Sequence, residues 1–133
     1  MFTGIIQAQG NIKEIRSSNK GAVFVLNSNS LDLSDVSIGD SIAVNGVCLT
    51  VTQLVDNSFS ADVSQETLNC STFSQLKKGQ NINLEKSLRL DQGIDGHLVS
   101  GHVDGVGKVT SIAIEGESTR MKIKVDDNLV KYI

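Results

Sequence analysis

The chain has 133 residues, of which 39% are hydrophobic and 20% charged, enough for one complete globular domain with part of another. Its formal net charge is −3 and its longest basic cluster is Lys77-Lys78, which argues against a nucleic-acid partner. No apolar run approaches the roughly 20 residues that span a bilayer, so no membrane partner is expected. Because no basic segment precedes an apolar block at the N-terminus, we expect a cytoplasmic protein with reduced Cys48 and Cys70.

Alternating apolar residues and β-branched runs predict six short strands, separated by turns rich in Gly, Asn, Asp and Ser. A glycine inside the first strand, Gly10, predicts a bend or bulge there. Two short helical pieces are expected at 64–68 and 72–76, with Ser64 capping the first and Gly79 beyond the second. The strands are expected at 2–15, 22–26, 41–44, 47–55, 59–63 and 81–84. This pattern predicts an all-β fold, either a small antiparallel barrel or a sandwich.

The hairpin at 41–55 is the strongest local signal in the chain. Asn45-Gly46 separates two β-rich runs, and both residue types tolerate the positive φ angles of a type I′ turn. Alternation then places the apolar side chains of 47, 49 and 51 toward a core. Cys48, Thr50 and Thr52 point the other way, which suggests a polar docking surface on the outside of the strand.

An internal repeat indicates a second copy of the same unit. Gly4 aligns with Gly101 and Gly10 with Gly107, at an offset of 97 residues in both cases (101 − 4 and 107 − 10). The alternating segment 121–125 then matches the second strand of the first copy, with a slip of about one residue. The second copy begins near Gly96 and stops before its central hairpin. We therefore expect the tail either to add strands to a partner chain or to be poorly ordered.

Five motifs in order closely resemble riboflavin synthase of the α-chain type. They are the opening Met-Phe-Thr-Gly-Ile, Asn45–Val51, Ser64–Leu68, Asn83–Lys86 and Gly96–Gly105. The resemblance implies a six-stranded antiparallel Greek-key barrel that binds lumazine at 1–96. It also implies an incomplete second lumazine-binding barrel at 97–133.

The resemblance implies the last step of riboflavin biosynthesis as the activity. Two molecules of 6,7-dimethyl-8-ribityllumazine exchange a four-carbon unit, giving riboflavin and 5-amino-6-ribitylaminouracil. The resemblance implies a protein that is usually a homotrimer, with its active site where one subunit's first barrel meets another subunit's second. A chain with one complete barrel is expected to pair as a dimer and to bind ligand with or without turnover. No residue pattern supplies a cofactor or metal site, and His97 and His102 are an odd number apart, so on one strand they face opposite ways.

The same resemblance implies the site residues. One ring would lie in a shallow outer pocket of the first barrel, and Gly101, His102 and Val103 would belong to the pocket of the second. Cys48 and His102 are the candidates for assisting proton transfer or nucleophilic addition, and the sequence leaves the choice between them open. The full predicted set for substrate binding is Gly4, Ile5, Ile6, Cys48, Leu49, Thr50, Asp62, Val63, Ser64, Gln65, Glu66, Thr67, Gly101, His102 and Val103.

Other interpretations stay open at this point. Cys48 and Cys70 are also typical of small buried apolar residues, and Glu66 is typical of a helix start, where the dipole favours an acid. Gly4 and Gly101 are equally consistent with backbone accommodation alone. For the whole chain, the alternatives are a non-catalytic lumazine or flavin carrier and a Greek-key interaction module without a ligand.

Overall fold

The computed structural model describes all residues from Met1 to Ile133. It contains two compact units, Met1–Val103 and Asp104–Ile133. The predicted boundary lay after residue 96, so the first unit also holds the segment 97–103. None of the helices has the length and apolar character needed to cross a membrane.

The first unit is a closed antiparallel barrel of six strands. Neighbours around the barrel follow the order β1-β2-β5-β4-β3-β6, in which β3, β4 and β5 are consecutive hairpins and β2 lies beside β5. This confirms the predicted all-β six-stranded Greek-key barrel. The strands are β1 Ala8–Ser18, β2 Gly21–Asn27, β3 Ser41–Val44, β4 Val47–Val55, β5 Ser58–Ser64 and β6 Asn81–Lys86.

The central hairpin has the predicted register. Asn45 and Gly46 adopt φ angles of 49° and 83° between β3 and β4. Side chains 47, 49 and 51 are buried, whereas Cys48 is half-buried and Thr50 is exposed. The thiol and the hydroxyl therefore lie on the outer face of β4, as the alternation predicted.

The start of the chain differs from the prediction. β1 begins at Ala8, and Phe2 forms an isolated antiparallel bridge with Val99. The register shift of β1 lies between Ile12 and Glu14. Gly10 is needed for close approach: a Cβ there would lie 2.3 Å from the backbone oxygen of Asn27.

The barrel core is filled by the inward side chains of all six strands and by aromatic rings from outside them, among which Phe73 contacts the core directly. The helix α1 spans Gln65–Cys70, and a 3-10 helix at Thr72–Gln75 carries Phe73. Phe73 packs edge-on against Phe24 with ring centroids 5.2 Å apart. The largest fully buried side chains are Phe2, Phe24, Phe59, Phe73, Ile12, Leu26, Ile42, Ile82, Leu84, Val44, Val51 and Val63.

The second unit is a hairpin followed by one short helix. β7 spans Lys108–Glu115, β8 spans Ser118–Lys124, and α2 spans Asp127–Val130. The β7–β8 pairing repeats the β1–β2 pairing at an offset of 97 residues. Lys108↔Lys124 follows Asn11↔Asn27, and the register shift between Val109 and Ser111 follows the one in β1. The expected slip of one residue was wrong, because β8 coincides with the shifted limits of β2.

Candidate functional site

A cleft of about 180 Å³ opens on the surface of the first unit. Its walls come from the start of β4, from one face of α1 with the residue after it, and from the segment 97–103, which we call the strap. The residues that line the cleft are Val47, Cys48, Glu66, Thr67, Cys70, Ser71, Gly101, His102 and Val103.

The helix α1 supplies the most polar wall. Ser64 caps it, and its hydroxyl oxygen accepts a hydrogen bond from the Thr67 N–H at 3.1 Å, as predicted. Residues four apart share one helix face, so Glu66 lies beside Cys70. The Cys70 thiol donates to Glu66 Oε1 at 3.2 Å.

The strap forms the opposite wall and is hydrogen-bonded to the barrel. Phe2 and Val99 exchange two backbone hydrogen bonds, and the Cys48 N–H donates to the Gly101 carbonyl at 2.9 Å. Gly101 is buried with φ at 78°, and a Cβ there would lie 2.8 Å from Cys48 Cβ. Only glycine can adopt this positive φ and also lie so close to Cys48. Gly101 therefore allows the strap to pack directly on β4.

A buried carboxylate holds the N-terminal residues that pair with the strap. Glu85 is only 4% exposed, and its Oε1 accepts from the Thr3 N–H at 2.6 Å and from the Thr3 hydroxyl at 2.7 Å. Its second oxygen accepts from the Gly4 N–H at 3.2 Å. Three donors satisfy this charge, which fixes the backbone beside Val99.

The structure brings six of the predicted site residues together in the cleft. They include three strap residues that the resemblance had assigned to a second barrel's pocket, which instead lie against the first barrel. These six residues are Cys48, Glu66, Thr67, Gly101, His102 and Val103.

The other predicted residues lie outside the cleft. Leu49 and Val63 are 4% and 2% exposed and pack in the barrel core, so their side chains cannot reach a ligand from outside. Ile5 lines a separate groove of about 300 Å³ with Thr3 and Gln7. The remaining predicted residues are exposed but do not line the cleft: Gly4, Ile6, Thr50, Asp62, Ser64 and Gln65.

Three cleft residues were missed from the sequence: Val47, Cys70 and Ser71. Cys70 and Ser71 follow Glu66 and Thr67 by four positions, so helical spacing was the signal that could have found them. That signal was weak because the predicted helix ended at residue 68. Val47 was assigned to the core by alternation, and its burial agrees with that.

The cleft suits a flat polar heterocycle. Val47 and Val103 offer apolar surface, the Thr67 hydroxyl can donate or accept, and Glu66 supplies the one carboxylate among the lining residues. The Ser71 hydroxyl is already engaged, since it donates to the Thr67 carbonyl and accepts from the Phe73 N–H. No group of three or more His, Cys, Asp or Glu side chains is arranged to hold a metal ion.

Comparison with known proteins gives a consistent result. A family model described as the lumazine binding domain matches residues 3–87. Riboflavin synthase from Photobacterium leiognathi is 47% identical over 133 residues. That alignment includes 100% of this chain and 61% of the relative, and the synthase from Photobacterium phosphoreum gives the same values, so the chain spans about three fifths of the length of these synthases.

Solved structures show the same similarity. A crystal structure of LumP complexed with riboflavin has a TM-score of 0.81 and 28% identity, with 100% of this chain and 72% of that chain covered. LumP complexed with 6,7-dimethyl-8-(1'-D-ribityl) lumazine has a TM-score of 0.77 and 29% identity, with 100% and 71% covered.

Proposed function

The chain belongs to the lumazine-binding domain family, and from this premise we propose that it is the lumazine-binding part of a riboflavin synthase. The proposed substrate is 6,7-dimethyl-8-ribityllumazine and the proposed product riboflavin. The observation that carries the proposal is the cleft in which Cys48, Glu66 and Thr67 meet the strap.

The cleft dimensions support binding of one flat ring. Its volume of about 180 Å³ is below the roughly 300–1,000 Å³ of enclosed sites for drug-sized ligands. A bicyclic ring would therefore fill the cleft, with one edge left open. We propose that the hydroxyl of Thr67 and the carboxylate of Glu66 hydrogen-bond the polar edge or the ribityl chain, while the apolar side chains contact the ring face.

The proposed transferase reaction needs two lumazines, one losing a proton from its C7 methyl group and the other accepting a nucleophile at C7. Cys48 and His102 line the cleft and are the proposed groups for proton transfer or positioning. Because one cleft holds one ring, turnover requires that a second cleft face the first. We therefore propose a cytoplasmic homo-oligomer, a trimer in the full-length protein and a dimer for this chain.

We also propose that residues 97–133 contain the start of a second lumazine-binding barrel. The repeated register of β7–β8 supports this assignment, since a shared bulge position, a shared end of β1 and β7, and matching limits of β2 and β8 point to a shared fold. Completion of that barrel would require strands equivalent to β3–β6.

A ligand carrier without catalysis is the second candidate, since LumP, which has a similar structure, is found complexed with the lumazine and with riboflavin. Mixing the chain with 6,7-dimethyl-8-ribityllumazine, while ligand fluorescence and flavin absorbance are both followed, separates the candidates. Riboflavin formation indicates the enzyme, and a fluorescence change without product indicates the carrier. If the chain responds neither to 6,7-dimethyl-8-ribityllumazine nor to riboflavin, the enzyme and the carrier are both rejected.

Thr50→Val tests the position of the site. Thr50 is exposed on the same face of β4 as Cys48, so its hydroxyl can serve a ligand that extends past the cleft. We expect riboflavin affinity to fall about 3- to 10-fold with unchanged stability, the effect of one lost hydrogen bond. Thr119→Val, on exposed β8, is the matched control. Equal affinity in both variants would mean that the bound ligand does not reach Thr50.

A further inference from the structure

We infer that Cys70 is a positioning residue that holds the Glu66 carboxylate in the orientation a ligand needs, an inference that rests on the proposed function of the cleft. Cys70 Sγ donates to Glu66 Oε1 at 3.2 Å, and both side chains line the cleft. The contact therefore fixes the one carboxylate among the lining residues.

The geometry of α1 explains how one thiol can do this. Glu66 is exposed and has three side-chain torsions, so a ligand that binds it must order a flexible group. A donor four residues later on the same helix face restrains that group before the ligand arrives. With Oε1 engaged by the thiol, Oε2 is left to accept from a ligand hydroxyl or N–H.

The same helix contains a second pair at the same spacing, which serves as an internal comparison. Gln65 Nε2 donates to Asn69 Oδ1 at 3.1 Å, and neither residue lines the cleft. Removal of this pair perturbs α1 to a similar extent without touching Glu66. Asn69→Ala is therefore a control for general effects on the helix.

The test measures riboflavin affinity of the 133-residue chain by fluorescence titration. We expect Cys70→Ala to raise Kd about fivefold, because the ligand must then order the freed Glu66 side chain when it binds. Cys70→Ser keeps a donor and is expected within about twofold of the parent chain, as is Asn69→Ala. In a Glu66→Ala background, Cys70→Ala should change Kd less than about twofold, because its partner is already absent.

Three results would overturn the inference. Cys70→Ala could leave Kd unchanged, Cys70→Ser could be as weak as Cys70→Ala, or the Cys70→Ala effect could persist without Glu66. The last two would indicate that the sulfur packs against the ligand itself. If the parent chain binds neither riboflavin nor the lumazine, the proposed function fails as well, and that result is distinct from binding that is insensitive to Cys70.

Discussion

The two hairpins of this chain have the same strand pairing, but they differ in how far their apolar faces are buried. β1–β2 and β7–β8 have the same register shift and the same pairing at an offset of 97 residues. Phe24 and Leu26 in β2 are 1% and 0% exposed, whereas Met121 and Ile123, at the equivalent positions of β8, are 51% and 57% exposed. Hairpin geometry is therefore set by local sequence, while burial of its apolar face depends on the strands that close the barrel.

The largest expected difference between the two hairpins comes from truncation of equivalent apolar residues. Leu26→Ala should lower the free energy of unfolding by about 3 kcal/mol, because it leaves a cavity in the core. Ile123→Ala should change it by less than about 0.5 kcal/mol, since more than half of that side chain is exposed. Urea unfolding followed by circular dichroism measures both. Equal losses would mean that Ile123 is buried in solution by an oligomeric partner.

Alanine substitution of Gly10 should lower the free energy of unfolding more than substitution of Gly107, its equivalent in the second hairpin. Gly10→Ala places its Cβ against the backbone oxygen of Asn27 in a closed barrel, and we expect a loss of about 2 kcal/mol. A Cβ at Gly107 would first meet the side-chain methyl Ile123 Cγ2 at 2.7 Å, and the nearest backbone oxygen, that of Lys124, is 3.5 Å away. Gly107→Ala should therefore cost less than Gly10→Ala, by about 1 kcal/mol, because a side chain of an open hairpin yields more readily than the backbone of a closed barrel. The same unfolding titration serves as the measurement, and a larger loss for Gly107→Ala would contradict the comparison.

Much of the barrel could be predicted from local patterns. The Asn45-Gly46 turn and the alternation of β4 fixed which side chains face out, and the limits of β3 and β4 matched the prediction. The start of β1 could not be predicted, because Phe2 pairs with Val99, which lies far along the chain. Non-local pairing leaves no periodic signal in the segment that it recruits.

The candidate site was predicted only in part for the same reason. Capping by Ser64 predicted where α1 begins, and side-chain alternation predicted that Cys48 faces outward, whereas the resemblance assigned Glu66 and Thr67 to the site. The strap was assigned to the second copy because Gly101 repeats Gly4, yet its contact is with Cys48 of the first barrel. A sequence repeat indicates that two segments have a common origin, but it does not show which residues each segment packs against.

Alanine substitutions at Gly4 and Gly101 measure how differently the two repeated segments pack. Both have positive φ, 82° and 78°, so an alanine is strained to a similar degree at each position. A Cβ at Gly4 would meet only Val99 Cγ2 at 3.6 Å, whereas one at Gly101 would overlap Cys48. Gly101→Ala should therefore cost about 1 kcal/mol more than Gly4→Ala. It should also weaken riboflavin binding by displacing the strap.

The control for this pair is the affinity of Gly4→Ala, which should stay within about twofold of the parent chain, since Gly4 does not line the cleft. Titration of both variants with riboflavin, together with their unfolding curves, gives the two quantities. Equal affinity losses would place the N-terminal residues in the site after all, as the resemblance first implied.

The smallest expected effect concerns a surface ion pair of the barrel that lies outside its first hairpin. Lys86 Nζ lies 2.6 Å from Asp35 Oδ1, and this hydrogen bond lowers the pKa of the Asp35 carboxyl below its usual value. The pair therefore stabilises the barrel above about pH 4, and its contribution is lost as the pH falls through the lowered pKa. The Asp35 side chain is 43% exposed, so solvent screening limits the loss in Asp35→Asn at pH 7 to about 0.5 kcal/mol or less. Urea unfolding at pH 7 and pH 3 should show this difference between parent and variant shrinking in acid. A difference that stays constant would mean that Asp35 acts through packing and not through its charge.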